Sequence, residues 1–290
     1  ILNNAMKKIR KFAPALIVAA PFVILMSVFL VWPTLTTIEK AFIHDDEFSF
    51  FNMARAMSGT YRDSFILTAQ LSFITSIIGG GIGLLMAILL RTLPVESKSR
   101  TLADSWSAVA SQLGGLPLAF AFIALLGTQG ILTKILEAIG IDLVELGFSL
   151  TGLAGWALVY LYFQIPLMFL IMTPAVTSLR SSWFESATSM GASSWQFWRA
   201  VGIPILLPTI VTGFVLLFVN SFSAYATAYA LSTGAGQLIP LQIRFILQGN
   251  VITGEDELGF AIVTWALILL ALSLVAVTLL QRRVSRWTEQ

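Results

Sequence analysis

Glu185, Gly191 and Ser193 stand in a polar stretch, Glu-Ser-Ala-Thr-Ser-Met-Gly-Ala-Ser, that separates two long apolar runs. Residues of these types suit docking rather than bond-making. Ser181 or Ser182 can cap a helix beginning near Trp183, with the Glu185 carboxylate in its first turn, where negative charge meets the positive end of the helix dipole. Gly191 permits a sharp bend or a left-handed conformation. Ser193 or Ser194 can cap a second short helix carrying Trp195, Gln196, Phe197, Trp198 and Arg199, and Pro204 and Pro208 suit the first turn of the run that follows. The stretch predicts a helix–turn–helix of roughly thirty residues, far more than two packed helices need to connect. That surplus points to a docking surface for a soluble partner.

Bond-making chemistry is poorly served. The chain has no cysteine and one histidine, His44, which excludes thiolate and multi-histidine metal sites and weakens histidine-based catalysis. No catalytic residue, metal site or cofactor site is expected. No Gly-x-x-x-x-Gly-Lys-Ser/Thr loop occurs, and no Gly-Lys pair, so nucleotide chemistry would have to come from another polypeptide. Within the apolar runs the candidate pathway-lining side chains are Gln112, Tyr160, Tyr162, Gln164, Asn220, Ser223 and Tyr225, with Gln70 and Ser221 beside them. Each equally suits a hydrogen bond between helices. Tyrosine faces suit a cation and asparagine or serine donors an anion, so both charge classes stay open. Ionisable residues are essentially absent deep in the runs, Asp63 and Asp104 falling near their ends, which argues against proton-coupled transport.

The elements that must position these residues are transmembrane. Of 290 residues 57% are hydrophobic and 11% charged, with mean hydropathy +0.86; soluble domains carry about 25% charged residues. Six runs, near 13–33, 64–90, 102–126, 152–173, 205–231 and 258–280, are long enough for the ~30 Å hydrocarbon core. Their continuity favours helices over a barrel, so an all-α polytopic membrane protein is predicted. One set of connections holds Lys7, Lys8, Arg10, Lys11, Arg91, Lys98, Arg100, Arg180, Arg199, Arg282, Arg283 and Arg286, twelve of the 17 basic residues. The other holds Lys40, Arg55, Arg62, Lys134 and Arg244. The positive-inside rule then places both termini and the 181–204 loop in the cytoplasm. The first run lacks a clean cleavage site and is expected to be a retained span rather than a signal peptide. Loop 39–62 reads as a small external cap, and Leu-Ile-Pro-Leu-Gln-Ile-Arg-Phe-Ile-Leu in the loop 232–257 as an interfacial or pathway-capping segment. Gly79, Gly80, Gly81 and Gly83 predict tight helix packing. Gly114, Gly115 and Pro117 in the third span, and Pro166 in the fourth, predict kinks.

The 185–204 stretch resembles the EAA motif of membrane subunits of binding-protein-dependent ABC importers. That pattern is Glu-Ala-Ala, three residues, Gly, nine residues, Ile-x-Leu-Pro; here stand Glu185-Ser186-Ala187, three residues, Gly191, nine residues, then Val201-Gly202-Ile203-Pro204. The spacing matches throughout, and the departures are Ser186, Val201 and Ile203. The resemblance covers roughly residues 60–280. It implies the type I (MetI-like) permease fold, with six transmembrane helices and a cytoplasmic coupling helix that inserts into a partner ATPase. On that basis Glu185, Ser186, Ala187, Gly191, Ala192, Trp195 and Pro204 are the coupling residues, with Ala187 allowing close approach and Gly191 setting the bend. The implied partners are two ATP-binding subunits, which hold the ATP and Mg, a second permease subunit, an extracytoplasmic solute-binding protein and the lipid bilayer. No nucleic acid is implied. The implied organisation is a tail, first helix and external loop over 1–62, a permease core over 63–281 with the loop 181–204, and a cytoplasmic tail over 282–290, in a multi-pass protein of the cell inner membrane.

The wording of the motif, with Met190 where sugar permeases more often carry an acid, resembles the permeases for polyamines, ferric iron, phosphonates, sulfate or thiamine. Residues 114–130 also resemble the polyamine and iron group. The expected solute is therefore a polyamine, ferric iron or 2-aminoethylphosphonate. A secondary transporter or channel is the competing class, and it would bring intramembrane charges, symmetric broken half-helices or a filter motif, none of which is evident. A membrane enzyme would need clustered acids, bases or nucleophiles.

Overall fold

The computed structural model describes residues 19–45, 47–94, 96–232, 237–248 and 256–288. The basic N-terminal residues and positions 13–18 of the expected first span lie outside them. Helix α1 (Ala19–Ala41) leads into a short antiparallel pair, β1 (Ile43–His44) with β2 (Glu47–Phe48), and then α2 (Phe51–Ala56). The long α3 (Gly59–Arg91) is followed by α4 (Lys98–Ala110), α5 (Leu116–Leu126), α6 (Ile131–Ala138) and the long α7 (Leu153–Ser178). A short α8 (Ser181–Ser189) precedes α9 (Ser194–Phe222), which passes through a π turn at Trp198–Gly202. Then come α10 (Tyr225–Leu231), α11 (Ile239–Leu247) and α12 (Asp256–Thr288). Six segments of the described residues are long and apolar enough to span a membrane: α1, α3, Leu116–Ala138, α7, α9 and the first part of α12. The all-α polytopic expectation therefore holds.

Two expected spans are corrected. The third, placed at 102–126 with a kink, is broken outright: α4 ends at Ala110 and α5 starts at Leu116. Gly115, the N-cap of α5, has φ +89°, which glycine adopts without strain, and Pro117 falls in the first turn of α5, where its missing N–H costs nothing. The fifth, placed at 205–231, stops at Phe222 and resumes at Tyr225 after two non-helical residues. Pro166, by contrast, lies within an uninterrupted α7.

α7 is the hub, packed against α3, α4 and α9. It is apolar on every side, as a helix enclosed by others must be, and Val159, Met168, Met172 and Val176 are fully buried. The glycines of α3 let these backbones close up: a Cβ at Gly83 would stand 2.5 Å from the Ile165 carbonyl oxygen, and one at Gly80 2.5 Å from the Phe214 ring. Polar side chains add directional bonds. Thr75 accepts from Gln164 Nε2 at 2.7 Å and lies 3.2 Å from the Ser221 hydroxyl, joining α3, α7 and α9. At the end of the bundle where α3 begins, segment 43–57 forms the expected cap. Asn52 donates to the Ile43 carbonyl at 2.9 Å and to the Glu257 carboxylate at 3.1 Å, and Trp265 Nε1 donates to the Met53 carbonyl at 2.9 Å. These bonds fix the cap to α12. The Leu238–Leu247 stretch is not merely interfacial, since Ile239, Leu241 and Ile246 are buried against the bundle.

Candidate functional site

The α8–α9 corner sits at the bundle end opposite the cap. Arg91, at the last turn of α3, donates to the Leu179 carbonyl at 2.6 Å and so ties that helix to the link before α8. α8 starts at Ser181 with Arg180 at its N-cap and no side-chain cap. This start, two residues earlier than expected, moves Glu185 from the first turn to the second and weakens its interaction with the helix dipole, which decays within a turn. α8 stops at a Schellman turn: Ala192 N–H bonds the Ala187 carbonyl at 3.0 Å, and Gly191 N–H the Thr188 carbonyl at 2.9 Å. Gly191 adopts φ +84°, the bend its type allowed. The spacing Ala187 to Gly191-Ala192 is thus the spacing of a helix stop.

The second helix opens with a capping box. Gln196 N–H donates to Ser193 Oγ at 3.3 Å, and Ser193 N–H donates to Gln196 Oε1 at 2.7 Å. Phe197, 2% exposed, is the anchor. Its ring meets Phe184 edge-on at 5.2 Å and Trp198 at 5.8 Å, pinning α8 to α9 and both to the bundle. Pro204 lies where the α-helical part of α9 resumes after the π turn. Glu185, Ser186, Met190 and Trp195 are exposed, and Ala187 and Ala192 half-buried. Met190 is 81% and Trp195 68% exposed, large apolar surface held out from the bundle by rigid backbone. Between this corner and the end of α3 runs a groove of about 380 Å³, lined by Arg91, Phe184, Glu185, Phe197 and Trp198 among others. Rigid helices, an exposed acid and exposed large apolar side chains make a seat for a protein surface.

The expected pathway residues divide. Tyr160 and Gln164 are 1% and 0% exposed, sealed within the packing of this one chain. Tyr160 donates to the Ala224 carbonyl at 3.1 Å and Gln164 to Thr75, so burial corrects the expectation that they face a pathway. Tyr162 is half-buried, meeting Trp106 and Phe122 edge-on. Gln112 is exposed at the break before α5, Asn220 and Ser223 are exposed beside the break after α9, and Tyr225 is half-buried at the start of α10. The two breaks meet: Gly115 N–H donates to Thr227 Oγ1 at 2.8 Å. Sequence reasoning missed Tyr229 and Arg244, which join Tyr225 here. Their signal was a lone cation in an apolar stretch, passed over because it lay in a presumed loop.

Residues 12–290 match the family described as binding-protein-dependent transport system inner membrane component. A protein of Chlorella vulgaris described as a sulfate transport system permease, cysT, is 24% identical over 213 residues, 72% of this chain and 75% of its own length. The ferric transport system permease protein FbpB of Actinobacillus pleuropneumoniae is 20% identical over 258 residues, 85% of this chain, which spans only 36% of that protein. Among solved structures, a bacterial alginate ABC transporter in complex with alginate pentasaccharide-bound periplasmic protein contains a chain that superposes with TM-score 0.76 at 18% identity, over 96% of this chain and 97% of that one. At this identity the likeness is one of fold.

Proposed function

The chain belongs to the family of binding-protein-dependent transport system inner membrane components, and from that membership we propose that it forms half of the translocation pathway of an ATP-driven importer. Permeases of this family are transport components rather than enzymes. In the proposed assembly this chain pairs with a second permease subunit, each permease seats one ATP-binding subunit, and an extracytoplasmic binding protein delivers the solute at the capped end. ATP and Mg are bound and ATP is hydrolysed in the partner ATPases. Both termini and the α8–α9 corner face the cytoplasm, by the excess of Lys and Arg there.

One observation carries the reading: the α8–α9 corner is stiff, exposed and continuous with a membrane helix. Glu185 presents its carboxylate to the ATPase, the Schellman turn at Gly191 fixes the angle of α8, and Ser186, Ala187, Ala192 and Trp195 form the contact surface. Because α9 runs unbroken from Ser194 to Phe222, displacing the corner displaces the core of the bundle as a rigid lever. ATP-driven closure of the ATPases thereby opens the pathway to one side, and hydrolysis returns it to the other. Co-purification of an ATP-hydrolysing subunit after mild detergent extraction tests this. Glu185→Arg is expected to abolish both the association and ATP-driven uptake without impairing membrane insertion. Full uptake by this variant would refute the coupling role.

The solute belongs, in this reading, to the ferric iron and oxyanion side of the group suggested by the motif, which includes 2-aminoethylphosphonate. The ferric and sulfate permeases among the relatives support that side. A polyamine is the other candidate. Competition of uptake by spermidine, ferric citrate and aminoethylphosphonate separates them.

A further inference from the structure

Arg244 is the one charged residue of α11, and its neighbours fix its height along the bundle. Ile239 N–H, at the start of α11, donates to Thr68 Oγ1 at 3.0 Å. Thr68 is nine residues along α3 from Gly59, which at the helical rise is about 14 Å in from that end. The far end of α11 reaches the start of α12, where a Cβ on Gly259 would stand 2.7 Å from Leu247. Arg244 therefore lies in the half of the bundle opposite the α8–α9 corner, below the cap.

It borders an open depression of about 690 Å³ lined by Leu116, Tyr225, Ala226, Tyr229, Arg244 and Gln248 among others. The helix breaks at 111–115 and 223–224 meet at its edge. Ser221, just before the second break, is level with Thr75, close to the middle of the 33-residue α3. Non-helical backbone at membrane depth is tolerated where it is enclosed in protein or lines water. Gln112 and Ser223, at the two breaks, are exposed rather than enclosed, and the depression beside them opens to the outside of this chain.

The guanidinium is held in place. Nε donates to Gln248 Oε1 at 2.9 Å, and a terminal N–H donates to the Tyr225 hydroxyl. Its carbon stands 4.2 Å from the centre of the Tyr229 ring, which stacks on Tyr225 at 5.7 Å. No ion pair to a carboxylate neutralises Arg244 among the described residues. A planar cation with donors to spare, fixed on an aromatic platform, is built for bidentate contact with an oxyanion. Arginine lining a pathway selects anions.

Building on the importer reading above, we propose that Arg244, positioned by Tyr225, Tyr229 and Gln248, is the anion-recognition point of the translocation pathway, and that the solute crosses as an oxyanion or as a carboxylate-bearing chelate.

The test uses the complete importer in proteoliposomes, with labelled sulfate, molybdate, ferric citrate and spermidine as probes. Uptake of one of the three anionic probes is expected, with Arg244→Gln raising its half-saturation concentration about tenfold, the worth of a lost charge-assisted hydrogen bond, and Arg244→Lys falling between. Uptake of spermidine alone, or anion uptake indifferent to Arg244→Gln, overturns the proposal. A second measurement decides whether or not any probe is carried. The chain has no cysteine, so Ala226→Cys places a single thiol in the cavity. It is expected to react faster with an anionic than with a cationic thiosulfonate, and to lose that preference when Arg244→Gln is added. Failure to react with either reagent would show a lipid-facing surface, and an unchanged preference would show that Arg244 does not set the charge of the cavity; each overturns the proposal. Uptake independent of ATP would instead refute the importer reading, leaving the thiol comparison to judge Arg244.

Discussion

Gly83 and Gly81 lie two residues apart on α3 and lead to opposite expectations. A Cβ at Gly83 would meet the Ile165 carbonyl oxygen at 2.5 Å and Met168 Cβ at 2.7 Å, while one at Gly81 would meet nothing within 4 Å. Backbone cannot give way as a side-chain tip can. Gly83→Ala is therefore expected to destabilise the bundle by about 1–3 kcal/mol through overpacking. Gly81→Ala is expected to be neutral or to stabilise by up to about 1 kcal/mol, since alanine restricts the unfolded chain. Thermal melting of the two variants in one detergent checks the pair, and equal melting points would remove the close approach of α3 to α7 from the account. Gly191 presents a different case. It too has open space around a Cβ, but at φ +84°, so only backbone strain is at stake, about 1–2 kcal/mol for an ordinary residue. Gly191→Ala should lower ATP-driven uptake, and Gly191→Asn, which visits that conformation more readily, should recover most of it. Uptake unchanged in Gly191→Ala would mean that the angle of α8 is irrelevant to transport. The bend at Gly191 and the close packing of the α3 glycines were legible in the sequence because glycine has few reasons to stand where it does. The partnership of Arg244 with Tyr225 and Tyr229 was not, because it joins residues nineteen and fifteen positions apart on two separate helices.

At the scale of elements, the α8–α9 corner shows how a short helix, α8, too brief to persist alone, becomes stiff against the first turns of a long one. The Schellman turn closes the first, the capping box opens the second, and buried Phe197 fastens both to the bundle. Ser193→Ala removes the hydroxyl that accepts from Gln196 N–H and should cost about 1 kcal/mol. That energy is local, so the expected result is faster proteolytic nicking at 190–194 and a severalfold drop in uptake, with the melting temperature of the bundle unmoved. A lower melting temperature with normal uptake would contradict the separation of corner from bundle. The capping serine was readable from the sequence as Ser193 or Ser194, and Gln196 three residues on selects Ser193. The beginning of α8 was misplaced because Arg180 carries no capping oxygen. Of the two broken spans, the one at Gly114-Gly115-Leu116-Pro117 was announced by its residues, though as a kink. The one at Ser223–Ala224 has neither glycine nor proline, and a hydropathy window reads straight across it. What ends α9 there is tertiary: the Ala224 carbonyl is taken by Tyr160 at 3.1 Å, and the next helix packs against α5.

For the whole molecule, the decisive variable is which end faces which compartment. α3, with 33 residues, spans about 50 Å. The cap at 43–57 precedes it, and Arg91 at its other end is tied to the link before α8. Phe48, 74% exposed, and Met190, 81% exposed, therefore mark opposite ends of the bundle. Both side chains are largely exposed, and a cysteine at either place would be unique in a chain that has none. The charge asymmetry that assigns Met190 to the cytoplasm rests on twelve basic residues against five, a bias that governs short loops near membrane helices. In intact spheroplasts a membrane-impermeant maleimide is expected to label Phe48→Cys at once. Met190→Cys should be labelled only after the membrane is opened, and weakly even then if a bound ATPase covers it. The reverse pattern would put the α8–α9 corner outside, where no ATP-hydrolysing subunit operates, and would turn the Arg244 cavity toward the cytoplasm. The proposed lever and the proposed anion site stand on one orientation, since in that reading a solute meets Arg244 from one face of the membrane while the partner ATPase engages Glu185 from the other.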